Sequence, residues 1–153
     1  MIISHSNKEF TILISEYLLN QMYSIARSHL PNEFGGILIG VKYSDFWHIT
    51  DFEVPTKYTH SKTGFTRNAD NLNAYLKDIY QKSNGKIEYL GEWHTHPFGS
   101  TMYSANDFNS ISEIAKEENT KNKTPILAIL SIHREKNKYK FYSYQNNCLV
   151  ELV

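Results

Sequence analysis

Cysteine is nearly absent: Cys148 stands alone, so no internal disulfide can form, and a single unpaired thiol suits a reducing compartment. A cytoplasmic location is expected. Long apolar runs are missing too. The longest, Ile37 to Val41 and Pro125 to Leu130, fall far short of the roughly 20 residues that cross a bilayer, so no membrane partner is expected. Met1 to Phe10 alternates polar and apolar residues without the continuous apolar core of a signal peptide, so secretion is not expected either. Neither sign of charge dominates, 16 Lys and Arg balancing 16 Asp and Glu, which leaves no overall field to gather nucleic acid. Proline-rich linkers, low-complexity tracts and internal repeats are lacking. A length of 153 residues suits one domain with a core of its own, expected over residues 1–153.

Phe10, Ile12 and Ile14 alternate with polar or smaller residues as a strand does, and from Glu16 the spacing of Leu18, Met22, Ile25 and Ala26 turns helical. Pro31 disfavours helical geometry in the residue before it, which ends this helix near Leu30. Glu33 then stands at the entrance of a buried strand marked by Gly35, Gly36, Ile37, Leu38 and Ile39. The polar turn Lys42 to Asp45 joins it to a β-rich stretch, Phe46 to Val54, as a hairpin, and Lys57 to Gly64 reads as a surface loop. Helical spacing returns over Asn71 to Gln81, with Gly85 closing that helix. Lys86 to His96 alternates, and Ala105 to Glu118 forms a third helix through Phe108, Ile111, Ile114 and Ala115. Strands over Ile126 to Ile132, Lys138 to Tyr144 and Cys148 to Val153 complete an α/β pattern, a mixed sheet flanked by helices.

The chemistry concentrates in Gly91 to Asp107. Residues two apart on a strand share a face, so His94 and His96 aim two imidazoles at one point, a spacing suited to one zinc ion at about 2.0–2.1 Å. Pro97 offers no N–H and ends the strand. Asp107, in the first turn of the next helix, supplies a carboxylate, and two His with one carboxylate leave a position open for water.

The order His-x-His-Pro, six residues, Ser, two residues, Asp resembles the JAMM signature of the JAB1/MPN/Mov34 metalloenzymes at every motif position, from His94 through Ser104 to Asp107. Glu33, ahead of its Gly-rich strand, is similar to the upstream Glu of that family, and the order of strands and helices agrees over most of the chain. Gly91 to Pro97 further resembles compact bacterial members found with E1-like and E2-like proteins, including antiphage CBASS-type operons. The resemblance implies an MPN/JAB-like domain of cytidine-deaminase-like topology, with one zinc ion per chain held by His94, His96 and Asp107. Glu33 would take the proton of the attacking water, and Ser104 would donate to the oxyanion. The implied substrate is an isopeptide or peptide bond at the C-terminus of a ubiquitin-like protein or of an E2-linked conjugate, its tail extended along a strand edge. E1-like and E2-like proteins and a nucleotidyltransferase target are the implied partners. Phe98, Met102 and Tyr103 flank the zinc and would grip such a tail, with ordinary loop packing the competing reading.

Simpler readings stand beside these. Two imidazoles on a strand can just face solvent, and Ser104 with Asp107 also fits a helix-capping pattern. Capping leaves His94, His96 and Pro97 unexplained. Glu92 shares the ligand face but sits too close to His94 to act as the base, so at most it supports the ligands. Trp93 and Thr95 face the core, Arg67 reads as an exposed loop cation, and His5, His29, His48, His60 and His133 as surface or structural residues. Cys148 reads as a small buried residue. A catalytically silent binding module of the same fold, or a metallohydrolase acting on a sulfur-carrier protein or a small amide, remains an alternative. The (β/α)8 barrels that also use His-x-His need about 200 residues or more, which excludes them here.

Overall fold

The computed structural model describes residues 1–153. Its main sheet has eight strands in the order β1-β2-β4-β3-β7-β8-β9-β10. These are β1 (Ile2–Ser6), β2 (Thr11–Ser15), β3 (Gly35–Lys42), β4 (Trp47–Glu53), β7 (Glu88–Pro97), β8 (Ile126–Ile132), β9 (Lys138–Gln145) and β10 (Cys148–Leu152). The sheet is mixed: β2 with β4 and β7 with β8 run parallel, and the other neighbours antiparallel. A separate two-stranded hairpin, β5 (Tyr58–His60) with β6 (Phe65–Arg67), lies where a loop is expected from the sequence. The helices are α1 (Glu16–Ser28), α2 (Asp70–Lys82) and α3 (Ala105–Lys116), and none is long and apolar enough to cross a membrane.

Alternation along the central strands divides the interior into two faces. Ile126, Ala128, Leu130 and Ile132 of β8 pack with Leu38, Trp93 and Phe141 around α1, which contributes Leu18, Leu19, Met22 and Ala26. The intervening Leu127 and Ile129 face α3, meeting Ile111, Ala115 and Tyr142. Ile37 and Ile39 of β3 meet Leu72 of α2. Strands buried on both faces read as unbroken apolar runs, as β8 does. Ser15 caps α1, its Oγ accepting the Leu18 N–H at 3.1 Å.

The two outer strands meet at one corner, where Ser6 and Val153 exchange both main-chain hydrogen bonds, at 3.0 and 2.8 Å. The sheet thereby curls around α1. β1 goes unrecognised in the sequence because its alternation is shallow, every residue being exposed or only half-buried. Cys148 also departs from expectation: Leu149 and Leu152 take the inward positions of β10, leaving the thiol exposed.

Candidate metal centre

β7 lies between β3 and β8, so His94 is paired on both sides, with Gly35 and with Ile129. β3 starts only at Gly35, and beyond His94 that flank passes to Phe34 and Thr95. Thr95 N–H donates to Phe34 O at 2.9 Å, and Phe34 N–H donates to Thr95 Oγ1 at 3.0 Å. The imidazoles of His94 and His96 leave the strand on the face carrying α2 and α3, while Trp93 and Thr95 are buried beneath.

α3 begins with a reciprocal cap. Asp107 N–H donates to Ser104 Oγ at 3.0 Å, and Ser104 N–H donates to Asp107 Oδ2 at 2.8 Å. This turn carries the Asp107 carboxylate to the histidines: His94 Nε2 lies 3.1 Å from Oδ1 and His96 Nε2 3.1 Å from Oδ2. The two Nε2 atoms are themselves 3.1 Å apart. Four-coordinate zinc with bonds of about 2.0–2.1 Å spaces its ligands by about 3.3 Å, so the three side chains fit one ion.

Tautomer chemistry supports the fit independently. His96 Nδ1 is 2.8 Å from the Ser100 carbonyl, which only accepts, so Nδ1 carries the proton. In the neutral ring Nε2 then presents a lone pair to the Asp107 carboxylate and to His94 Nε2. Such a convergence of nitrogen and oxygen atoms can hold either a proton or a metal ion. The turn that offers the Ser100 carbonyl is held by Ser131, whose hydroxyl donates to Gly99 O, with His133 Nε2 2.8 Å from that hydroxyl oxygen.

Burial alone would raise the Asp107 carboxyl, but hydrogen bonds from the two histidines, their charge and the Ser104 N–H hold it far below the usual carboxylate range. Glu33 moves the other way. Burial raises its carboxyl above the ordinary 4.5, helped by the Asp107 charge and opposed by His94 and His96. Glu33, His94 and Asp107 line one groove of about 1030 Å³ between α2 and α3.

Of the remaining candidates, the three aromatic and methionine side chains stand off from the histidines, while Ser104 adjoins Asp107. Phe98 and Met102 stand on the surface, 52% and 57% exposed, while Tyr103 packs edge-on against Tyr142. Ser104 Oγ accepts the Asp107 N–H, and its own proton remains available to donate.

Two groups in the groove escape sequence reasoning. Arg67 is no exposed loop cation, since it pairs with Glu92 and both line the groove. Tyr89 donates its hydroxyl to the same carboxylate. Three residues apart on a regular strand would face opposite ways, but the β3–β7 register shifts between Leu38 and Ile39, skipping Leu90 and turning Tyr89 onto the Glu92 face. Only the Gly91 break in the apolar pattern hints at this bulge.

A family model for prokaryotic homologs of the JAB domain matches residues 15–145. The chain is 32% identical over 121 residues to the CD-NTase/cGAS isopeptidase of Enterobacter hormaechei, covering 79% of this chain and 67% of that protein. Proteins of the same description from Escherichia coli and Vibrio cholerae are 35% and 27% identical, over 56% and 65% of this chain. The matches span 56% and 65% of those two proteins' own lengths. The solution structure of a Desulfitobacterium hafniense protein superposes with a TM-score of 0.70 at 20% identity, covering 90% of this chain and 87% of that one, a likeness of fold. The chain belongs to the prokaryotic JAB-domain family.

Proposed function

We propose that this protein is a zinc-dependent isopeptidase that hydrolyses the amide bond between a protein's C-terminus and a lysine amine. The tail belongs to a ubiquitin-like protein or, as the names of the relatives suggest, to a CD-NTase of the cGAS type. The observation that carries the reading is the meeting of two imidazole nitrogens and a carboxylate at 3.1 Å, at the edge of a groove that also receives a carboxyl raised by burial.

A zinc ion held by His94, His96 and Asp107 would supply Lewis acidity and bring a water's pKa to about 7. Glu33 would accept the proton of the attacking water and return it to the departing lysine amine. Its raised pKa makes Glu33 a stronger base toward that water, and the far more basic lysine amine still draws the proton from the resulting acid. Ser104, its oxygen engaged by the Asp107 N–H, would turn its hydroxyl proton to the carbonyl oxygen as negative charge gathers there. Removing one such donor elsewhere costs about 2.7–4 kcal/mol. No covalent bond to the protein forms in this sequence.

The test uses a CD-NTase joined through its C-terminal carboxyl to the lysine of a fluorescent peptide. Cleavage should stop with chelator, return with zinc, and fall about 10²- to 10⁴-fold in Glu33→Ala. Undiminished cleavage in that variant and after metal removal would sink the proposal.

A further inference from the structure

Glu33 lies between the end of α1 and the start of β3, where no strand partner steadies the chain. Its main-chain groups instead go to the β5–β6 hairpin. Glu33 N–H donates to Ser61 O at 2.8 Å, and His60 Nδ1 is 3.0 Å from Glu33 O. The carbonyl only accepts, so Nδ1 bears the proton, and the Nε2 of the neutral ring receives the Asn32 side-chain amide at 3.4 Å. One imidazole therefore bridges two consecutive residues.

Aromatic neighbours keep that ring from swinging away. Tyr58 and His29 meet it edge to face, at centroid distances of 5.0 and 5.6 Å, and His29 is stacked at 3.7 Å on Phe34. Phe34 in turn is bonded through its own N–H and C=O to Thr95, between the two histidine ligands of the proposed metal. Glu33 is thus suspended between the hairpin on one side and the histidine strand on the other.

We infer that His60 is a positioning residue for the reaction: its Nδ1–H holds the Glu33 carbonyl and fixes the backbone from which the Glu33 carboxyl reaches the groove. The inference rests on Glu33 as the proton carrier. Without the Nδ1–H the peptide after Glu33 keeps only its Phe34 N–H anchor on Thr95 Oγ1, so its carbonyl end can shift, and displacement of a proton-transfer group by about 1 Å costs up to about 10²-fold in rate. The effect falls on turnover, because Glu33 handles a proton and does not anchor the substrate tail.

The experiment compares His60→Asn, His60→Gln and His60→Leu with Glu33→Ala, each zinc-loaded, on the CD-NTase–lysine-peptide conjugate. Asparagine places its amide N–H where Nδ1 stands, while glutamine places it near Nε2 and leucine has none. His60→Gln and His60→Leu should lower kcat about 10- to 100-fold, with KM within about 3-fold of the starting value and zinc stoichiometry unchanged. His60→Asn should recover most of the turnover. A change in KM alone, full turnover in His60→Gln, or equal losses in the Asn and Gln variants would overturn the inference while Glu33→Ala stays inactive. Full activity in Glu33→Ala would overturn the proton-carrier reading beneath it.

Discussion

The guanidinium of Arg67 on β6 closes on the carboxylate of Glu92 on β7, two residues ahead of His94 and on its face. Burial opposes the charge on Arg67, yet the adjoining carboxylate more than offsets it and raises the pKa. The Tyr89 phenol, pushed well above its ordinary range by burial and by Glu92, stays protonated and donates to the same carboxylate. The side chains keep 23% and 10% of their surface exposed, so breaking the pair should cost about 3 kcal/mol, the lower end for buried pairs. Arg67→Met should therefore lower the melting temperature by roughly 6–12 °C, and adding Glu92→Leu should restore part of it. Calorimetry decides; an unchanged Arg67→Met would show the pair to be inert.

In the proposed centre Asp107 would hold the metal as well as cap the helix, and substitutions can separate the two. Asp107→Asn keeps an oxygen for the Ser104 N–H but removes the charge, so zinc should fall from one per chain to near none, taking with it the stability that the metal and the charge contribute but leaving the cap. Asp107→Ala should lose the metal and about a further 1 kcal/mol of cap. Elemental analysis beside chemical denaturation tests both; full zinc in Asp107→Asn would contradict the ligand assignment.

The centre should respond to pH in opposite senses with and without metal. Burial opposes a charge on His96, but Asp107, the Ser100 carbonyl and Glu33 raise its pKa above 6.5 in the metal-free protein. This raised value contributes stability that is full below 6.5 and lost as pH climbs through the folded-state pKa. The lowered Asp107 value contributes stability present above 3.8 and lost as pH falls toward its folded-state pKa. The metal-free protein should gain most from the pair between these limits. Zinc competes with protons for the His96 lone pair, so its stabilising effect should shrink as pH drops to 5 and grow toward 8. Melting curves with and without zinc at both values check this, and a zinc effect independent of pH would refute it.

Gly35 faces His94 where β3 and β7 pair. An added methyl would strike the Trp93 carbonyl oxygen and come within 2.8 Å of His94 Cα. Gly35→Ala should push the strands apart, costing about 1–3 kcal/mol and weakening zinc binding together with stability. Normal zinc affinity at reduced stability would show that His94 is held mainly from the β8 side.

Ser131 holds the turn that orients His96, and through it would act on the proposed metal. Ser131→Ala removes the hydroxyl that donates to Gly99 O, and zinc affinity should drop about 10- to 100-fold. Competition against a chromophoric chelator would measure it; an unaltered dissociation constant would assign the turn's rigidity to His133 instead.

Much of this architecture was legible in residue spacing because burial on one or both faces leaves a periodic trace. α1, α3 and the central β3, β7 and β8 bury several residues each, and α2 adds Leu72 with the half-buried Tyr75 and Leu76. Three candidate site positions, His94, His96 and Asp107, stand out because a strand and a capped turn each write a local pattern, whereas Glu33 stands out only through the family resemblance and would otherwise read as an exposed loop carboxylate. The β5–β6 hairpin left no such trace, since three-residue strands with mostly exposed side chains carry too few buried positions to show a period. Arg67 with Glu92 and His60 with Glu33 were invisible for another reason: each pair joins segments 25 or more residues apart, and spacing along a chain says nothing of which distant partners meet.

At His94 β7 has a hydrogen-bonded neighbour on each side, so no incoming chain can extend the sheet there. Changes in what the protein recognises must therefore be made at the periphery, in residues 57–69 and the exposed turn near Phe98. Those segments offer themselves for exchange between relatives, as interchangeable jaws on a fixed anvil.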